Sequence, residues 1–256
     1  MEPYFIIMGG VMGSGKSCDK GFKFECLPYK TIKYLNLTNY DVIYDVDEHV
    51  QNSFFYKKNV NDNINKYFKN DNKQITEIFK YFDKTYFSSR KKIDPSINKK
   101  INKSIKNKEN IILETTGRFF PTIINEIPDD YYIIISYALL DFCILIERNL
   151  LRSMKYINNV LKDKSNPAPR IPDVTFDVFE KVVHNILEKL VVLIKNCNKN
   201  ECTFSGKKYR LLIFHSEKSH KKPIFDSAKI PNKKYINDTC KMILEKYKAS
   251  PKCHIH

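Results

Sequence analysis

The chain has 256 residues, of which 42% are hydrophobic and 13% aromatic, enough to bury one substantial core within the size range of a single α/β domain. No apolar run approaches the roughly 18 residues that cross a bilayer, and no basic region precedes the N-terminal apolar stretch, which argues against a membrane protein. The net charge of +15 attracts phosphate backbones, but only six of 44 basic residues are arginine, and a lysine excess also arises from AT-biased coding, so a nucleic-acid partner stays open.

Short apolar runs alternate with helical patterns along the chain, which predicts an α/β fold with a mainly parallel sheet and helices on both faces. Five runs are short, continuous and apolar, as expected of strands that are buried on both sides. The predicted strands are residues 4–8, 41–45, 110–114, 131–137 and 209–214. The resulting prediction is a three-layer sandwich around a five-stranded sheet.

Apolar residues at three- and four-residue spacing predict the helices between these strands. Their ranges are 74–88, 96–107, 120–126, 141–162, 174–195 after Asp173 as N-cap, and 233–248. Residues 57–73 and 216–231 are predicted to be loops, the former because it is rich in Asn, Asp and Lys. We expect one domain over residues 1–215, with a lid near 148–172, and a C-terminal loop and helix over 216–256.

The seven cysteines are an odd number and widely scattered, which does not favour a disulfide framework and fits a reducing, cytoplasmic location. Cys253, His254 and His256 resemble metal ligands in kind, but no second ligand pair accompanies them. A frayed chain end is therefore the preferred interpretation of this cluster.

The first predicted strand leads directly into Gly10-Val-Met-Gly-Ser-Gly-Lys-Ser17, which satisfies Gly-x-x-x-x-Gly-Lys-Ser/Thr. In such a phosphate loop, glycines let consecutive backbone N–H groups face phosphate oxygens, the lysine bridges the β and γ phosphates, and the hydroxyl ligates Mg²⁺. Four of the seven glycines, at positions 9, 10, 13 and 15, fall in this segment or directly before it. The pattern predicts a P-loop NTPase fold that binds ATP and Mg²⁺. The predicted nucleotide-binding residues are Gly10, Gly13, Ser14, Gly15, Lys16, Ser17 and Cys18.

A P-loop alone does not separate kinases from other nucleotide hydrolases. The guanine-reading Asn-Lys-x-Asp motif is absent from the sequence, and nothing resembles helicase or transporter signatures. Phosphoryl transfer to a small or polymeric acceptor is the class that remains.

Two acidic segments follow the second and third predicted strands. Asp45 and Asp47 differ by two positions, so their side chains share one side of the chain while the strand persists. The carboxyl ends of parallel strands face one crevice, where one acid can act as base toward a hydroxyl and the other can hold Mg²⁺ through water. Glu114 ends the third strand in the same crevice, and Thr115, Thr116 and Arg118 follow it as acceptor contacts.

Three of the six arginines lie between the fourth and fifth predicted strands. Arg148 and Arg152 are four residues apart and share a helix face, while Arg170 lies between prolines that stiffen the backbone. In a lid that closes over ATP, these cations would neutralise charge on the transferred phosphoryl group. A solvated basic face is the alternative.

Taken together, these segments resemble the zeta-toxin family of P-loop kinases, which is related in fold to chloramphenicol phosphotransferase and polynucleotide kinases. The resemblance rests on residues 10–17, Val42-Ile-Tyr-Asp-Val-Asp47, Asn110-Ile-Ile-Leu-Glu-Thr-Thr-Gly117, and Ala168-Pro-Arg-Ile-Pro172 leading into residues 179–187.

The resemblance implies ATP-dependent phosphorylation of a sugar hydroxyl, with UDP-N-acetylglucosamine as the acceptor of the toxins. It also implies roles for individual residues. Asp47 matches the acid that deprotonates the acceptor, Glu114 the acid that holds it, Lys16 the phosphate lysine, and Arg152 and Arg170 the lid arginines.

The chain departs from the family pattern in the acceptor region. Members carry Arg and then His-Pro shortly after the acidic pair, whereas here the chain continues Glu48-His-Val-Gln-Asn-Ser53. A small hydroxyl-bearing metabolite, a nucleoside or RNA end, and a non-catalytic nucleotide-binding scaffold therefore stay open, as does an inhibitory protein partner.

Overall fold

The computed structural model describes residues 2–16, 26–60, 75–116, 122–162, 175–198, 201–216, 222–248 and Cys253. Within these ranges, strands and helices alternate in the first half of the chain and short antiparallel strands gather near its end. The strands are β1 (Tyr4–Gly9), β2 (Val42–Asp45), β3 (Ile111–Glu114), β4 (Tyr132–Leu139), β5 (Cys197–Asn198), β6 (Glu201–Phe204), β7 (Lys207–His215) and β8 (Phe225–Asp226). The helices are α1 (Leu27–Leu35), α2 (Val46–Asn52), α3 (residues 54–60), α4 (Ile75–Lys106), α5 (Phe142–Lys162), α6 (Phe176–Lys195) and α7 (Lys233–Lys246), with 3₁₀ turns at Thr122–Glu126 and Ser227–Lys229.

The strands form one mixed sheet in the order β2-β3-β1-β4-β7-β6-β5, and β8 pairs with β7. The pairs β1–β3, β1–β4 and β4–β7 are parallel, whereas β5–β6, β6–β7 and β7–β8 are antiparallel. All five predicted strands are present as β1, β2, β3, β4 and β7. The prediction of a five-stranded sheet is nevertheless wrong, because β5, β6 and β8 bring the strands in the described residues to eight.

Both faces of the parallel part of the sheet are buried, which explains the continuous apolar runs of its strands. On one face, alternate residues of β1 pack with Leu27 of α1 in a cluster that also contains Ile112, Ile134 and Leu212. On the other face Tyr209 of β7 is buried and donates a hydrogen bond to the Leu193 carbonyl of α6 (2.9 Å). Helices therefore cover both faces of the sheet, as the sequence predicts.

Several predicted helix and loop boundaries are wrong. The two helices predicted at 74–88 and 96–107 are one 32-residue helix, α4, with Pro95 inside it, and the helix predicted at 120–126 is a short 3₁₀ turn. Residues 57–60 of a predicted loop are helical, and the predicted loop 216–231 contains β8. The predicted N-cap Asp173 lies outside the described residues.

The chain divides into two compact units. The first comprises Met1–Tyr44, Ile101–Leu145 and Glu180–His256, and the second comprises Asp45–Lys100 and Ile146–Phe179. The parallel strands belong to the first unit, while α2, α3, most of α4 and most of α5 belong to the second. The separation of residues 216–256 from a domain over 1–215 stays a prediction.

Two disulfide bonds lie among the described residues, so the expectation of a chain without disulfides is wrong. Cys197 and Cys202 face each other in the antiparallel register of β5 and β6, with their Cα atoms 4.0 Å apart. Cys143, at the start of α5, is bonded to Cys253. Because Cys253 is buried, its interpretation as part of a frayed end is also wrong. The pairing of Cys143 with Cys253 has no signal in the cysteine spacing, because the two residues are 110 positions apart.

Every helix in the described ranges is too short or too polar to cross a bilayer.

A buried ion pair fixes β8 against β7. Two nitrogens of Arg210 donate to the two carboxylate oxygens of Asp226 at 3.0 and 2.8 Å, and Tyr34 of α1 also donates to Asp226. Burial opposes ionisation of Asp226, but these hydrogen bonds outweigh it and hold the pKa of the carboxyl below its usual range. Arg210 thus has a structural role among the six arginines.

Replacing Asp226 with Asn should lower the free energy of unfolding at pH 7 by about 1–3 kcal/mol, since a half-buried guanidinium loses its charged partner. The pKa of the carboxyl is lowered in the folded state, so its contribution is fully present above the unfolded pKa of about 3.9 and is lost as pH falls through the lower, folded-state pKa. Urea unfolding of wild type and Asp226→Asn at pH 7 and pH 3 checks this. A difference in stability as large at pH 3 as at pH 7 would contradict the ionic role.

Candidate active site

The loop after β1 has the backbone conformation that its glycines predict. Gly10, Gly13 and Gly15 have φ angles of +148°, +81° and +78°, a region that residues with a side chain rarely adopt. The Ser14 N–H donates to the Val11 carbonyl at 3.1 Å and closes a turn within the loop. The chain therefore curls back directly after a buried parallel strand, as a phosphate loop does.

Close packing, as well as backbone conformation, requires glycine at the start of this loop. A Cβ atom on Gly9 would lie 2.5 Å from the Tyr137 ring of β4. A Cβ atom on Gly10 would lie 2.6 Å from the Ser14 Oγ atom and 2.9 Å from the Ala138 carbonyl oxygen. All three distances are shorter than real Cβ contacts, so neither Gly9 nor Gly10 has room for a side chain.

Two polar side chains are buried in the loop. Lys16 is only 8% exposed, and a buried ammonium group is costly unless an anion accompanies it. Ser14 is also buried, and among the described residues its hydroxyl has no hydrogen-bond partner. A glycine cradle with a buried cation and an unused hydroxyl fits a bound polyphosphate. The predicted contacts Ser17 and Cys18 lie outside the described residues.

Ser216 contacts the loop and was not singled out by the sequence. Its hydroxyl donates to the Ser14 carbonyl oxygen, and its N–H donates to the Leu139 carbonyl at 2.8 Å. Ser216 directly follows β7, so the end of a second parallel strand holds the loop in place. Its only sequence signal is its position after an apolar run.

Glu114 is the last residue of β3 and lies at the carboxyl-terminal end of the parallel strands, where the phosphate loop follows β1. It is paired in register with Met8 of β1, two residues before Gly10, and it is buried. The Thr115 N–H donates to the Met8 carbonyl at 2.9 Å, and Thr116 is half-buried. The structure therefore brings Glu114 and the loop to neighbouring strand ends. Arg118 lies outside the described residues.

Replacing Gly10 with Ala should destabilise the protein and weaken nucleotide binding, because the new Cβ atom meets both Ser14 and Ala138. Gly206→Ala is the control, since Gly206 also has a positive φ, +79° against +148° at Gly10, but no described atom lies within 4 Å of the position that an added methyl group would take. The control measures the cost of a positive φ without a steric clash, which is about 1–3 kcal/mol. Urea unfolding and the nucleotide-induced shift in Tm measure both effects. A nucleotide response in Gly10→Ala equal to that of Gly206→Ala would contradict the steric role.

In the second unit, Asp45 ends β2 and caps α2. One of its carboxylate oxygens accepts hydrogen bonds from the N–H groups of Asp47 (2.9 Å) and Glu48 (3.2 Å). The strand ends at Asp45, so Asp47 lies in the first helical turn. The expectation that both acids alternate along one strand is therefore wrong, because capping starts the helix at Val46.

Asp47 is held by a tyrosine that the sequence did not single out. The Tyr86 hydroxyl of α4 donates to the Asp47 carboxylate. Tyr86 is fully buried and packs edge to face against Tyr56 of α3, with ring centroids 6.4 Å apart. A rigid aromatic pair thus fixes the orientation of one carboxylate oxygen. No local pattern could reveal this contact, because the two residues are 39 positions apart.

Two of the three predicted lid arginines lie on α5 in the second unit. Arg152 donates to the side-chain oxygen of the buried Asn149 at 2.8 Å, so a neighbour three residues away holds its guanidinium. Arg148 is exposed one turn earlier on the same helix. Arg170 and most of the predicted lid lie outside the described residues.

No group of three or more His, Cys, Asp or Glu side chains in the described part of the chain could hold a metal ion. Of the two predicted Mg²⁺ ligands, Ser17 is outside that part, and Asp45 uses one carboxylate oxygen to cap α2. Magnesium binding therefore stays a prediction that rests on the loop motif.

Comparison with solved structures identifies a similar fold. A chain of the PezAT chromosomal toxin–antitoxin system of the human pathogen Streptococcus pneumoniae matches with a TM-score of 0.53 and 13% identity, over 98% of this chain and 81% of that one. This chain shares that fold. A protein from Chloroflexus aurantiacus J-10-fl described as a candidate kinase matches with a TM-score of 0.41 and 12% identity, over 96% of this chain and 99% of that one. The second similarity is too weak to establish a common fold.

No protein-family model matches the chain. No curated protein matches it either.

Proposed function

We propose that this protein is an ATP-dependent phosphotransferase that moves the γ-phosphoryl group of ATP to a hydroxyl group of another molecule. The observation that carries the proposal is the loop after β1, where three glycines with positive φ enclose a buried lysine. Bound MgATP would supply the activated phosphoryl group. The similarity in fold to a PezAT chain agrees with the proposal.

Residues of the first unit would bind the nucleotide. The N–H groups of the loop residues Gly10, Gly13, Ser14 and Gly15 would donate to phosphate oxygens, and Lys16 would neutralise the terminal phosphates. Ser17 and Cys18 would complete this set. Glu114, with Thr115, Thr116 and Arg118, would hold the acceptor at the neighbouring strand end.

Asp47 and the three arginines would assist the transfer itself. The Asp47 carboxylate would take the proton of the acceptor hydroxyl as the acceptor oxygen attacks the γ-phosphorus and ADP leaves, and Tyr86 would keep that carboxylate oriented. Arg148, Arg152 and Arg170 would stabilise the negative charge that develops on the transferred group. Asp45 would hold Mg²⁺ through water.

For the acceptor we propose a nucleotide sugar of the UDP-N-acetylglucosamine type, as the sequence resemblance implies. The matched PezAT chain comes from a toxin–antitoxin system, so an inhibitory protein partner is a second element of the proposal. Residues 48–53 depart from the family pattern in the acceptor region. The identity of the acceptor is therefore the first point to test.

A transfer assay tests the proposal. Purified protein is incubated with γ-labelled ATP, Mg²⁺ and separate panels of nucleotide sugars, nucleosides and 5′-hydroxyl RNA. We expect label on a nucleotide sugar and none with Lys16→Ala protein, which excludes a contaminating kinase. Nucleotide binding without label on any acceptor would instead indicate a nucleotide-binding scaffold.

A further inference from the structure

Two phenylalanine rings are exposed at the start of α3, in the second unit. Phe54 is 72% exposed and Phe55 is 44% exposed, and their rings meet edge to face with centroids 6.2 Å apart. Rings that stay exposed to water do not contribute the free energy that burial of apolar surface provides. A pair of adjacent exposed rings is therefore a candidate binding surface.

The fold holds these rings outward. Tyr56 and Val60, four residues apart on the opposite side of α3, are buried. The Ser53 Oγ atom accepts from the Tyr56 N–H at 3.1 Å at the start of the helix. Tyr81 of α4 donates to the Asn59 carbonyl at 2.8 Å. Because these contacts hold α3 at Tyr56 and at Asn59, Phe54 and Phe55 cannot turn inward without unpacking the helix.

Lysine ammonium groups lie over both rings. The Lys58 Nζ atom is 6.0 Å from the centroid of Phe54, one helical turn away, and the Lys92 Nζ atom of α4 is 4.9 Å from the centroid of Phe55. Residues 53–60 and 88–94 contain four lysines, one arginine and one acid, Asp94, which pairs with Arg90 at 3.3 Å. We call the surface formed by Phe54, Phe55, Lys58 and Lys92 the aromatic–basic patch.

We propose that the aromatic–basic patch binds single-stranded nucleic acid without sequence preference. Exposed rings provide stacking platforms for unpaired bases, and ammonium groups beside them can contact the phosphates between those bases. Here the exposed rings lie on α3, and the two ammonium groups belong to α3 and α4. The patch requires neither ATP nor transfer, so the proposal is independent of the kinase activity.

Fluorescence anisotropy with fluorescein-labelled dT₁₂ and U₁₂ tests the proposal on the full chain. We expect binding that weakens by about tenfold or more in Phe54→Ala/Phe55→Ala, because each stacked base loses its platform. Phe54→Leu/Phe55→Leu should lose as much, since leucine is apolar but has no π face, whereas Phe54→Trp/Phe55→Trp should retain binding. Tyr40→Ala, which removes an exposed ring elsewhere, should bind as wild type.

The salt dependence tests the lysines separately. In Lys58→Ala/Lys92→Ala, the slope of log K against log salt should become shallower by about 1.4, the value for two lost phosphate contacts on a single strand. Lys233→Ala/Lys234→Ala, which changes two exposed lysines of α7, should leave the slope unchanged. Lys16→Ala should also bind the oligonucleotides normally, which separates this proposal from the proposed kinase activity.

Five results would overturn the proposal. Four of them are no binding at 50 mM salt, equal slopes for the two lysine variants, undiminished binding by the leucine variant, and a 12-bp duplex bound as tightly as dT₁₂. The fifth is displacement of the oligonucleotide by polyglutamate to the same extent in wild type and the leucine variant, which would indicate docking of an acidic protein instead. Circular dichroism shows that each variant is folded before it is compared.

Discussion

Replacing Lys16 with Ala should lower the rate of phosphoryl transfer by about a hundred- to a thousandfold, the usual cost of removing one preorganised donor from developing charge. The effect is large because the Lys16 side chain is buried in the loop, where electrostatic interactions are stronger than in water. Single-turnover transfer with saturating γ-labelled ATP measures the rate. The nucleotide-induced shift in Tm, measured in parallel, should shrink as well, since the ammonium group also contributes to ground-state binding.

Lys241→Ala is the matched control for this substitution. Lys241 is an exposed lysine of α7 that pairs only loosely with Glu245, at 3.9 Å, so its loss should change neither rate nor nucleotide response. Wild-type turnover in Lys16→Ala would exclude the phosphate-binding role of the loop and with it the proposed function.

Replacing Asp47 with Asn should lower the transfer rate by about a hundred- to ten-thousandfold, the range attributed to general-base catalysis. Asparagine keeps an oxygen that can accept from the Tyr86 hydroxyl, so the local structure should persist while the base is lost. Nucleotide binding should stay unchanged, because Asp47 is proposed to contact the acceptor hydroxyl and not the nucleotide. Stopped assays at saturating ATP and acceptor give kcat, and the Tm shift gives nucleotide binding.

Glu48→Gln is the control for charge. Glu48 neighbours Asp47 in the same helical turn and is exposed, so this variant loses the same charge without losing the proposed base. Equal losses of kcat in the two variants would point to a general electrostatic effect and would contradict the assignment of Asp47.

The parallel core and the phosphate loop could be predicted because their signals are local. Strands buried on both faces must be apolar throughout, as Ile111–Glu114 nearly is, and a turn with positive φ at Gly10, Gly13 and Gly15 calls for glycine. Each signal lies within eight consecutive residues. A single sequence is sufficient for features of this kind.

The short strands and the long helix could not be predicted for different reasons. Strands of two residues such as Cys197–Asn198 have no periodicity, and they exist because neighbouring strands pair with them. Pro95 predicts a break in α4, yet buried residues continue in phase on both sides of it, including Tyr86, Ile97 and Ile101. Burial of this stripe outweighs the backbone hydrogen bond that proline removes.

Contacts between distant residues account for the rest of what the sequence missed. Tyr86 orients Asp47 from another helix, and Ser216 supports the loop from 202 positions away. In neither case does spacing, composition or periodicity indicate the partner. The start of α2 is the opposite case, because a local signal was present. Asp is a common N-cap residue, and Asp45 caps α2. The two-residue spacing of Asp45 and Asp47 instead favoured a longer strand.

The bond between Cys143 and Cys253 encloses 110 positions of the sequence in a covalent ring. That ring includes α6, β7 and α7, which lie between the two cysteines. A protease that cuts the backbone once inside it would release no fragment. The nicked protein would migrate as an intact chain on a non-reducing gel and separate into two bands only after treatment with a thiol.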